Sequence, residues 1–289
     1  MTTHLSDRAL LVQLNVSQWT ARKLDKKATK EVADANGASR DAGNYNKKLL
    51  PMSDSLANIH TMTGDIRREF YTNTLPWGLE NTHMLPTANY LAFMTTFRKR
   101  KSEWETAVRK FLTDYPHHQT MARQSLGKLY DPADYPDVND LQHKFKMDLV
   151  VLPVPTNDFR VQLADDELAG IHADIQRRVE ESSTLAMREA WQRLYDRVKH
   201  MVERLSKLDD PKSRFHESTL EHVAELCKLL PRLNIMDDPN LEAMRSEVEA
   251  KLTGLSGDAV KNDPVLRQTK IDEASDIMAR MGVFMQGGI

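Results

Sequence analysis

The longest periodic stretch of this sequence is residues 165–208, DDELAGIHADIQRRVEESSTLAMREAWQRLYDRVKHMVERLSKL. Its apolar residues recur at intervals of three and four, and Asp165-Asp166-Glu167 places negative charge where a helix N-terminus is stabilised by it. One helix of about 44 residues would be about 66 Å long. A helix of that length is predicted to span two lobes or to pack against another copy as in a coiled coil. The stripe residues predicted to form an oligomer contact are Ile175, Val179, Leu194, Val198, Met201 and Leu205.

Three further helices are predicted after this stretch. Asp238-Pro239 and Asp263-Pro264 each combine a capping carboxylate with a proline at the first helical position, which starts helices over about 239–253 and 264–281. An earlier helix covers 217–230, with Cys227 on its apolar side. The C-terminus is rich in methionine, and the cluster of Met278, Met281 and Met285 is typical either of core packing or of an adaptable surface that docks a protein partner.

The N-terminal part combines strands and helices. Alternation from Ala9 to Val16 predicts a half-buried strand, and two more strands are expected over 149–154 and 158–163, which could complete a small three-stranded sheet. Ser17 is expected to cap a helix that runs from Gln18 to Asn36-Gly37. Two more helices are expected over Ser53–Tyr71 and Thr87–Tyr115, the second ended by Pro116.

These patterns predict a mainly α protein with a small antiparallel β element (α+β), a long central helix and a helical C-terminal region. The predicted division is a basic N-terminal helical region with the first strand (1–132), a β-hairpin with the long helix (133–210) and an acidic C-terminal helical region (211–289). The acidic, proline-containing segment around Pro132 and Pro136 marks the first boundary.

The charges are unevenly distributed along the chain. Residues 1–128 contain 19 Lys+Arg and 12 Asp+Glu (net +7), and residues 129–289 contain 21 and 30 (net −9). One interpretation is a surface for single-stranded nucleic acid in the basic half. The residues predicted for it are Lys23, Lys26, Lys27, Lys30, Arg98, Lys99, Arg100 and Lys101, with Tyr45, Tyr71, Trp77 or Trp104 to stack on bases. Solvated helix faces and head-to-tail attraction between subunits explain the same asymmetry.

Motifs for common chemistries are missing from the sequence. It contains neither of the glycine-rich phosphate loops G-x-x-x-x-G-K-[ST] and G-x-G-x-x-G, no H-E-x-x-H and no G-x-S-x-G. Three weaker patterns have simpler explanations. Cys227 near His222, a possible nucleophile, fits a buried thiol, and Asp196 with His200, a possible acid–base pair, fits a surface ion pair. Asp131, Asp134, Asp137 and Asp140, possible ligands of a divalent cation, fit a solvated linker. We therefore expect no catalytic residue, no metal site and no cofactor.

Three segments of the sequence carry a resemblance to known proteins: Leu11–Lys27, Thr74-Leu75-Pro76-Trp77, and Pro153-Val154-Pro155 followed by Asp158-Phe159-Arg160-Val161. They resemble an uncharacterised family of tailed-phage and prophage proteins. The resemblance implies a phage origin and a setting in the bacterial host cytoplasm, and it carries no activity that could be transferred to a residue.

The sequence thus predicts a protein without enzymatic activity, cytoplasmic and not membrane-spanning, that acts in phage-type assembly or as an adaptor through self-association as a homo-oligomer and protein binding. Binding or annealing of single-stranded nucleic acid by the basic half is the alternative, and an enzyme that gathers polar residues distant in sequence is a third.

Overall fold

A computed structural model describes residues 4–156, 165–208 and 217–286. It confirms the predicted fold class, a mainly helical chain with a small antiparallel β element. The helices are α1 (Leu5–Arg8), α2 (Lys26–Ala35), α3 (Asp54–Asn73), α4 (Thr87–Leu126), α5 (Val138–Gln142), α6 (Asp165–Leu205), α7 (Ser218–Leu233), α8 (Pro239–Leu252), α9 (Gly257–Asn262) and α10 (Pro264–Gln286). The strands are β1 (Ala9–Ser17), β2 (Arg22–Leu24), β3 (Asn46–Lys48), β4 (Leu75–Pro76), β5 (His83–Pro86) and β6 (Lys146–Pro153).

The strands form two sheets, one of four strands in the order β4-β5-β1-β6 and one of two strands, β2 and β3. β1 pairs antiparallel with β5 from Ala9 opposite Pro86 to Val12 opposite His83. The expected neighbours β1 and β6 are confirmed, whereas β4 and β5 were not predicted. The strand expected over 158–163 lies outside the described residues.

The chain groups into two compact units. Unit 1 takes the described residues of 1–13, 71–93 and 151–289, and unit 2 takes residues 14–70 and 94–150. The division into 1–132, 133–210 and 211–289 stays a prediction, and the structure groups the residues differently, because each unit collects segments that are distant in sequence.

Unit 1 is built around the second half of α6. This helix packs against α7 and α10, and α8 packs against both of those helices. The core is mainly aliphatic, and α6 contributes Leu194 and Val198, which are completely buried. The Arg193 guanidinium of α6 donates hydrogen bonds to the carbonyl oxygens of Tyr71, Thr72 and Thr74. These bonds satisfy carbonyl groups at the C-terminal end of α3, which have no partner within the helix.

Unit 2 has an aromatic core. The rings of Trp19, Phe111, Tyr115, Trp104 and Phe145 form a chain of contacts with centroid separations of 5.8 to 6.5 Å. The buried indole N–H of Trp104 also donates a hydrogen bond of 2.9 Å to Thr63 Oγ1, which ties α4 to α3.

Two predicted helix boundaries are wrong, the start of α2 and the end of α4. The helix expected from Gln18 begins only at Lys26, because Arg22–Leu24 pairs with Asn46–Lys48 as a strand and Asp25 caps the helix through the N–H of Ala28. Pro116 does not end α4. A proline lacks the N–H that would donate to the carbonyl four residues earlier. The neighbouring Tyr115 is buried and donates a hydrogen bond to Pro136 O, and this packing stabilises the helix across the proline.

The C-terminal predictions hold more closely. Asp238 caps α8 by accepting from the N–H groups of Asn240 and Leu241, and α8 and α10 begin at Pro239 and Pro264 as expected. α7 continues past Pro231 to Leu233, and the short helix α9 was not predicted.

Candidate interaction surfaces

Four of the six residues predicted for an oligomer contact lie in the core of unit 1. Leu194, Val198, Met201 and Leu205 have no exposed surface, because α7, α8 and α10 of the same chain cover that face of α6. A second copy cannot reach them in this fold. The contact expected for them is therefore made within the chain, and only Ile175 and Val179 remain from that set.

Ile175 and Val179 lie on the first half of α6, which is much less covered. No side chain from Asp166 to Glu181 is buried, and buried positions begin at Ser182. The apolar stripe nevertheless continues through this half as Leu168, Ile171, Ile175 and Val179, all of them half-buried. We call residues 166–181 the open half of α6.

A groove of about 700 Å³ runs beside the open half of α6. Taken as a whole, its exposed lining is more apolar than polar. The lining residues are His4, Leu5, Ser6, Val154, Pro155, Thr156, Ile175, Gln176, Val179, Glu180, Ser183, Thr184, Met187 and Met236. Such a lining suits a packed side chain of a partner better than a reaction.

The charges of the open half are separated along the helix. Asp166 and Glu167 are exposed in its first turn, and Arg177 and Arg178 follow three turns later. Arg177 is already paired with Asp174 at 3.0 Å and with Glu181 at 3.1 Å. Arg178 is exposed and, among the described residues, has no carboxylate within 4.0 Å.

The predicted nucleic-acid residue Lys23 is committed to an ion-pair cluster. Its ammonium lies 2.5 Å from Asp134 Oδ1, and Lys47, only 6% exposed, lies 2.7 Å from Asp134 Oδ2 and 3.0 Å from Asp25 Oδ2. The Ala28 N–H and the Lys47 ammonium hold the pKa of Asp25 below its ordinary value. Burial alone would raise the pKa of Asp134, but hydrogen bonds from Lys23 and Lys47 lower it overall. We call these four side chains the lysine–aspartate cluster.

The positive charge of the basic run 98–101 on α4 is partly neutralised. Arg100 lies 3.8 Å from Glu69, and Lys101 lies 3.8 Å from Glu105. Arg98 and Lys99 are exposed and have no carboxylate within 4.0 Å in the described part of the chain. Of the aromatic residues considered for stacking, Trp77 and Trp104 are buried, whereas Tyr45 and Tyr71 are exposed.

The lysines of α2 lie beside a loop that the sequence did not connect with them. Lys27 is within 4.0 Å of Glu31, but Lys26 and Lys30 have no such partner among the described residues. Both line a shallow hollow of about 250 Å³, together with Leu24, Thr29, Arg40 and Asn44. We call it the cationic hollow, because three of its six lining residues are exposed cations and none is a carboxylate.

Two hydrogen bonds, both donated by backbone N–H groups, hold the loop against α2. The N–H of Asp25 donates to Tyr45 O at 2.9 Å, and the N–H of Tyr45 donates to Thr29 Oγ1 at 3.0 Å. These bonds bring Arg40 and Asn44 to α2. Arg40 is 10 residues from Lys30 in sequence, so helical spacing could not have placed them together.

The β2–β3 ribbon has two different faces. Lys23 is opposite Lys47, and both bind Asp134. Because side chains alternate along a strand, the other face carries Arg22 opposite Lys48 and Leu24 opposite Asn46. We call this second set the outer ribbon face. Arg22 and Lys48 are exposed, with no carboxylate within 4.0 Å in the described residues.

The weaker catalytic patterns acquire ordinary structural roles. Cys227 is buried in unit 1, and burial raises the pKa of its thiol to about 11, so thiolate is scarce at neutral pH. Asp196 accepts a hydrogen bond of 2.9 Å from Gln192 Nε2 one turn earlier on the exposed surface of α6. Asp131 and Asp137 bind backbone N–H groups of the short turns that follow them.

The methionine-rich C-terminus is largely part of the core. Met281 is completely buried, and Met278 and Met285 pack against the core of unit 1. Phe284 stacks on Trp191 with a centroid separation of 5.4 Å. Docking of a partner by these methionines stays a prediction, and the side chain most exposed there is Val283 at 70%.

The described residues contain no group of three or more His, Cys, Asp or Glu side chains placed to hold a metal ion. None of the described helices is long and apolar enough to cross a membrane.

No protein-family model matches the chain, and no curated protein and no solved structure matches it significantly.

Proposed function

We propose that this chain is a non-enzymatic, phage-type assembly or adaptor protein that self-associates through the open half of α6. The observation that supports this function most is the half-buried apolar stripe of that half, which precedes the buried positions that begin at Ser182. Partly exposed apolar stripes of this kind mark association surfaces, because their further burial in a second molecule is favourable. The phage setting in a bacterial cytoplasm rests on the resemblance of three sequence segments.

A second copy of the same helix fits this surface. In an antiparallel pair centred near residue 173, Ile171 of one copy lies opposite Ile175 of the other, and the two-fold symmetry repeats the contact. The same register brings Glu167 beside Arg178 of the other copy, again twice. The charge pattern of the open half is therefore complementary to itself in this orientation.

The groove belongs to the same surface. Ile175 and Val179 form its rim on α6, so the second helix covers the rim and removes its apolar area from water. The contact is short, and we expect a concentration-dependent equilibrium between monomer and dimer rather than a permanent oligomer.

Charge reversal tests the pairing and its orientation. In sedimentation velocity, Glu167→Arg and Arg178→Glu should each weaken the dimer, since each places like charges together. The double variant Glu167→Arg/Arg178→Glu should restore dimerisation, because both pairs are re-formed with the signs exchanged. A double variant that is as monomeric as the single variants contradicts the antiparallel pairing.

A second experiment tests the apolar stripe itself. Ile175→Glu should shift the wild-type dimer to monomer, and Val265→Glu is the matched control, because Val265 is 77% exposed on α10 of the same unit. A wild-type protein that is monomeric at every concentration, or an Ile175→Glu protein that dimerises like the control, overturns the proposed function.

The second candidate function is binding of single-stranded nucleic acid. It is supported by the exposed cations of unit 2, which has 20 Lys+Arg and 15 Asp+Glu, a net charge of +5. The ion pairs of Lys23, Lys27, Arg100 and Lys101 reduce the set expected from the sequence, and Lys26, Lys30, Arg98 and Lys99 remain without a carboxylate partner in the described residues.

A further inference from the structure

The outer ribbon face carries an unusual cross-strand pair. Arg22 and Lys48 are directly opposite in the antiparallel register, and like charges in that position destabilise a sheet. The opposite face of the same ribbon shows how the chain neutralises such a pair, since Asp134 binds both Lys23 and Lys47. Among the described residues no carboxylate takes the corresponding place on the outer ribbon face.

The cationic hollow continues this positive surface. Leu24 belongs both to the outer ribbon face and to the lining of the hollow, so the two features share a border. Lys26, Lys30 and Arg40 line the hollow from α2 and from the loop tied to it. Together with Arg22 and Lys48 they form five exposed cations, which we call the cationic track.

The polar and aromatic groups around the hollow favour a nucleic-acid strand over a single small anion. Asn44 lines the hollow with an exposed amide, which can donate to a phosphate oxygen. Tyr45 lines a neighbouring depression that shares Thr29 and Asn44 with the hollow, and this tyrosine is 39% exposed. An exposed ring beside a row of cations can stack on a base while the cations follow the phosphates.

From these contacts we infer that the cationic track binds the phosphates of a single-stranded nucleic acid. Arg22 and Arg40 act as forked donors to phosphate oxygens, and Lys26, Lys30 and Lys48 add positive charge along the strand. The inference deepens the second candidate function by naming its site, and it is independent of self-association by α6. Arg22, Arg40 and Lys48 extend the site beyond the residues expected from the sequence.

Fluorescence anisotropy with fluorescein-labelled oligo(dT) over a range of salt concentrations tests the site. Wild-type protein should bind with an affinity that falls as salt rises. Arg22→Ala/Arg40→Ala should weaken binding about tenfold at low salt, and should reduce the slope of log affinity against log salt by about 1.4, since each phosphate contact with a single strand contributes about 0.7.

Two control variants separate the site from net charge and from folding. Arg109→Ala/Lys110→Ala removes the same number of charges from unit 2, at two exposed residues outside every proposed binding set, and should bind as the wild type does. Arg22→Lys/Arg40→Lys retains the charges and should keep the wild-type salt slope while losing part of the affinity. Because Arg22 and Arg40 are exposed and outside the lysine–aspartate cluster, all three variants should melt at the wild-type temperature.

The outcomes distinguish the site from the function. Binding that falls with a further variant, Arg98→Ala/Lys99→Ala, and not with Arg22→Ala/Arg40→Ala overturns the cationic track while nucleic-acid binding stands. Wild-type protein that does not bind oligo(dT) at low salt overturns both. Competition by polyglutamate as effective as that by unlabelled oligo(dT) also overturns the inference, because it would show a surface for an acidic protein segment.

Discussion

The two halves of α6 have the same spacing of apolar residues, but other helices of unit 1 bury these residues in one half and leave them partly exposed in the other. In the second half, Leu194 and Val198 are buried by other helices of unit 1, whereas in the open half Ile171 and Ile175 are only half-buried. The sequence pattern is the same because both halves present apolar side chains on one side of a helix. Periodicity therefore predicts that a face will be covered, but it does not say whether the cover belongs to the same chain.

The β2–β3 ribbon shows the same contrast in charge. Both of its faces carry opposed basic residues, but within the described residues only the face with Lys23 and Lys47 is neutralised, through Asp134. On the outer ribbon face the charges of Arg22 and Lys48 stay exposed. In each element, the part that the described residues leave uncovered is the candidate for binding another molecule.

The largest contrast is expected between core and open positions of α6. Leu194→Ala should lower the free energy of unfolding by about 2 to 5 kcal/mol, because it leaves a cavity in a fully buried site. Ile175→Ala should lower it by less than about 1 kcal/mol when the protein is monomeric. Urea unfolding of the two variants at low protein concentration measures both, and equal losses would contradict the division of the helix.

The next largest contrast is expected between the two faces of the ribbon. Lys47→Met should cost about 2 to 3 kcal/mol, because Asp25 and Asp134 lose a buried partner while Asp134 keeps Lys23. Thermal and urea unfolding followed by circular dichroism measure the loss. A Lys47→Met protein as stable as the wild type would show that the lysine–aspartate cluster does not hold the ribbon.

Acid should act on the same cluster. The pKa values of Asp25 and Asp134 are lowered in the folded state, so their contribution is fully present above the ordinary carboxyl value of 3.8 and is lost as the pH falls below it. We expect the stability difference between wild type and Lys47→Met to shrink below about pH 4. A difference that is constant from neutral pH to pH 3 would contradict these lowered pKa values.

The smallest effect concerns the like charges of the outer ribbon face. Lys48→Met, matched to Lys47→Met, should raise the free energy of unfolding by about 0.2 to 1 kcal/mol, because it relieves repulsion from Arg22. A loss of stability instead of this gain, measured by urea unfolding at low ionic strength, would show that the opposed charges carry no cost.

Much of the fold follows from local signals. The start of α8 is fixed by Asp238 and Pro239, whose cap and restricted φ act within one turn, and the strand β1 follows from alternation. β5 has four residues and β4 only two, too few for a period to be visible. Pro116 predicts a helix end because its effect on the backbone is local, whereas the packing of Tyr115 that overrides this effect involves Pro136, 21 residues away in sequence.

The candidate surfaces were less predictable than the fold. Lys26 and Lys30 were identified from the charge on one helix, but Arg40 and Lys48 join them through loop contacts and strand register, which connect distant residues. Ile175 and Leu194 looked alike in the sequence, since exposure depends on where α7 and α10 pack. Sequence patterns identified the elements that carry the surfaces, and tertiary packing selected the residues.

Amide hydrogen exchange at low and high protein concentration tests the contrast within α6 most directly. Residues 166–181 should exchange quickly in dilute protein, since none of them is buried by the described helices, and more slowly at high concentration, when a second copy covers them. Residues 186–205 should exchange slowly at both concentrations. Exchange of 166–181 that does not change with concentration would contradict the assignment of the open half as the self-association surface.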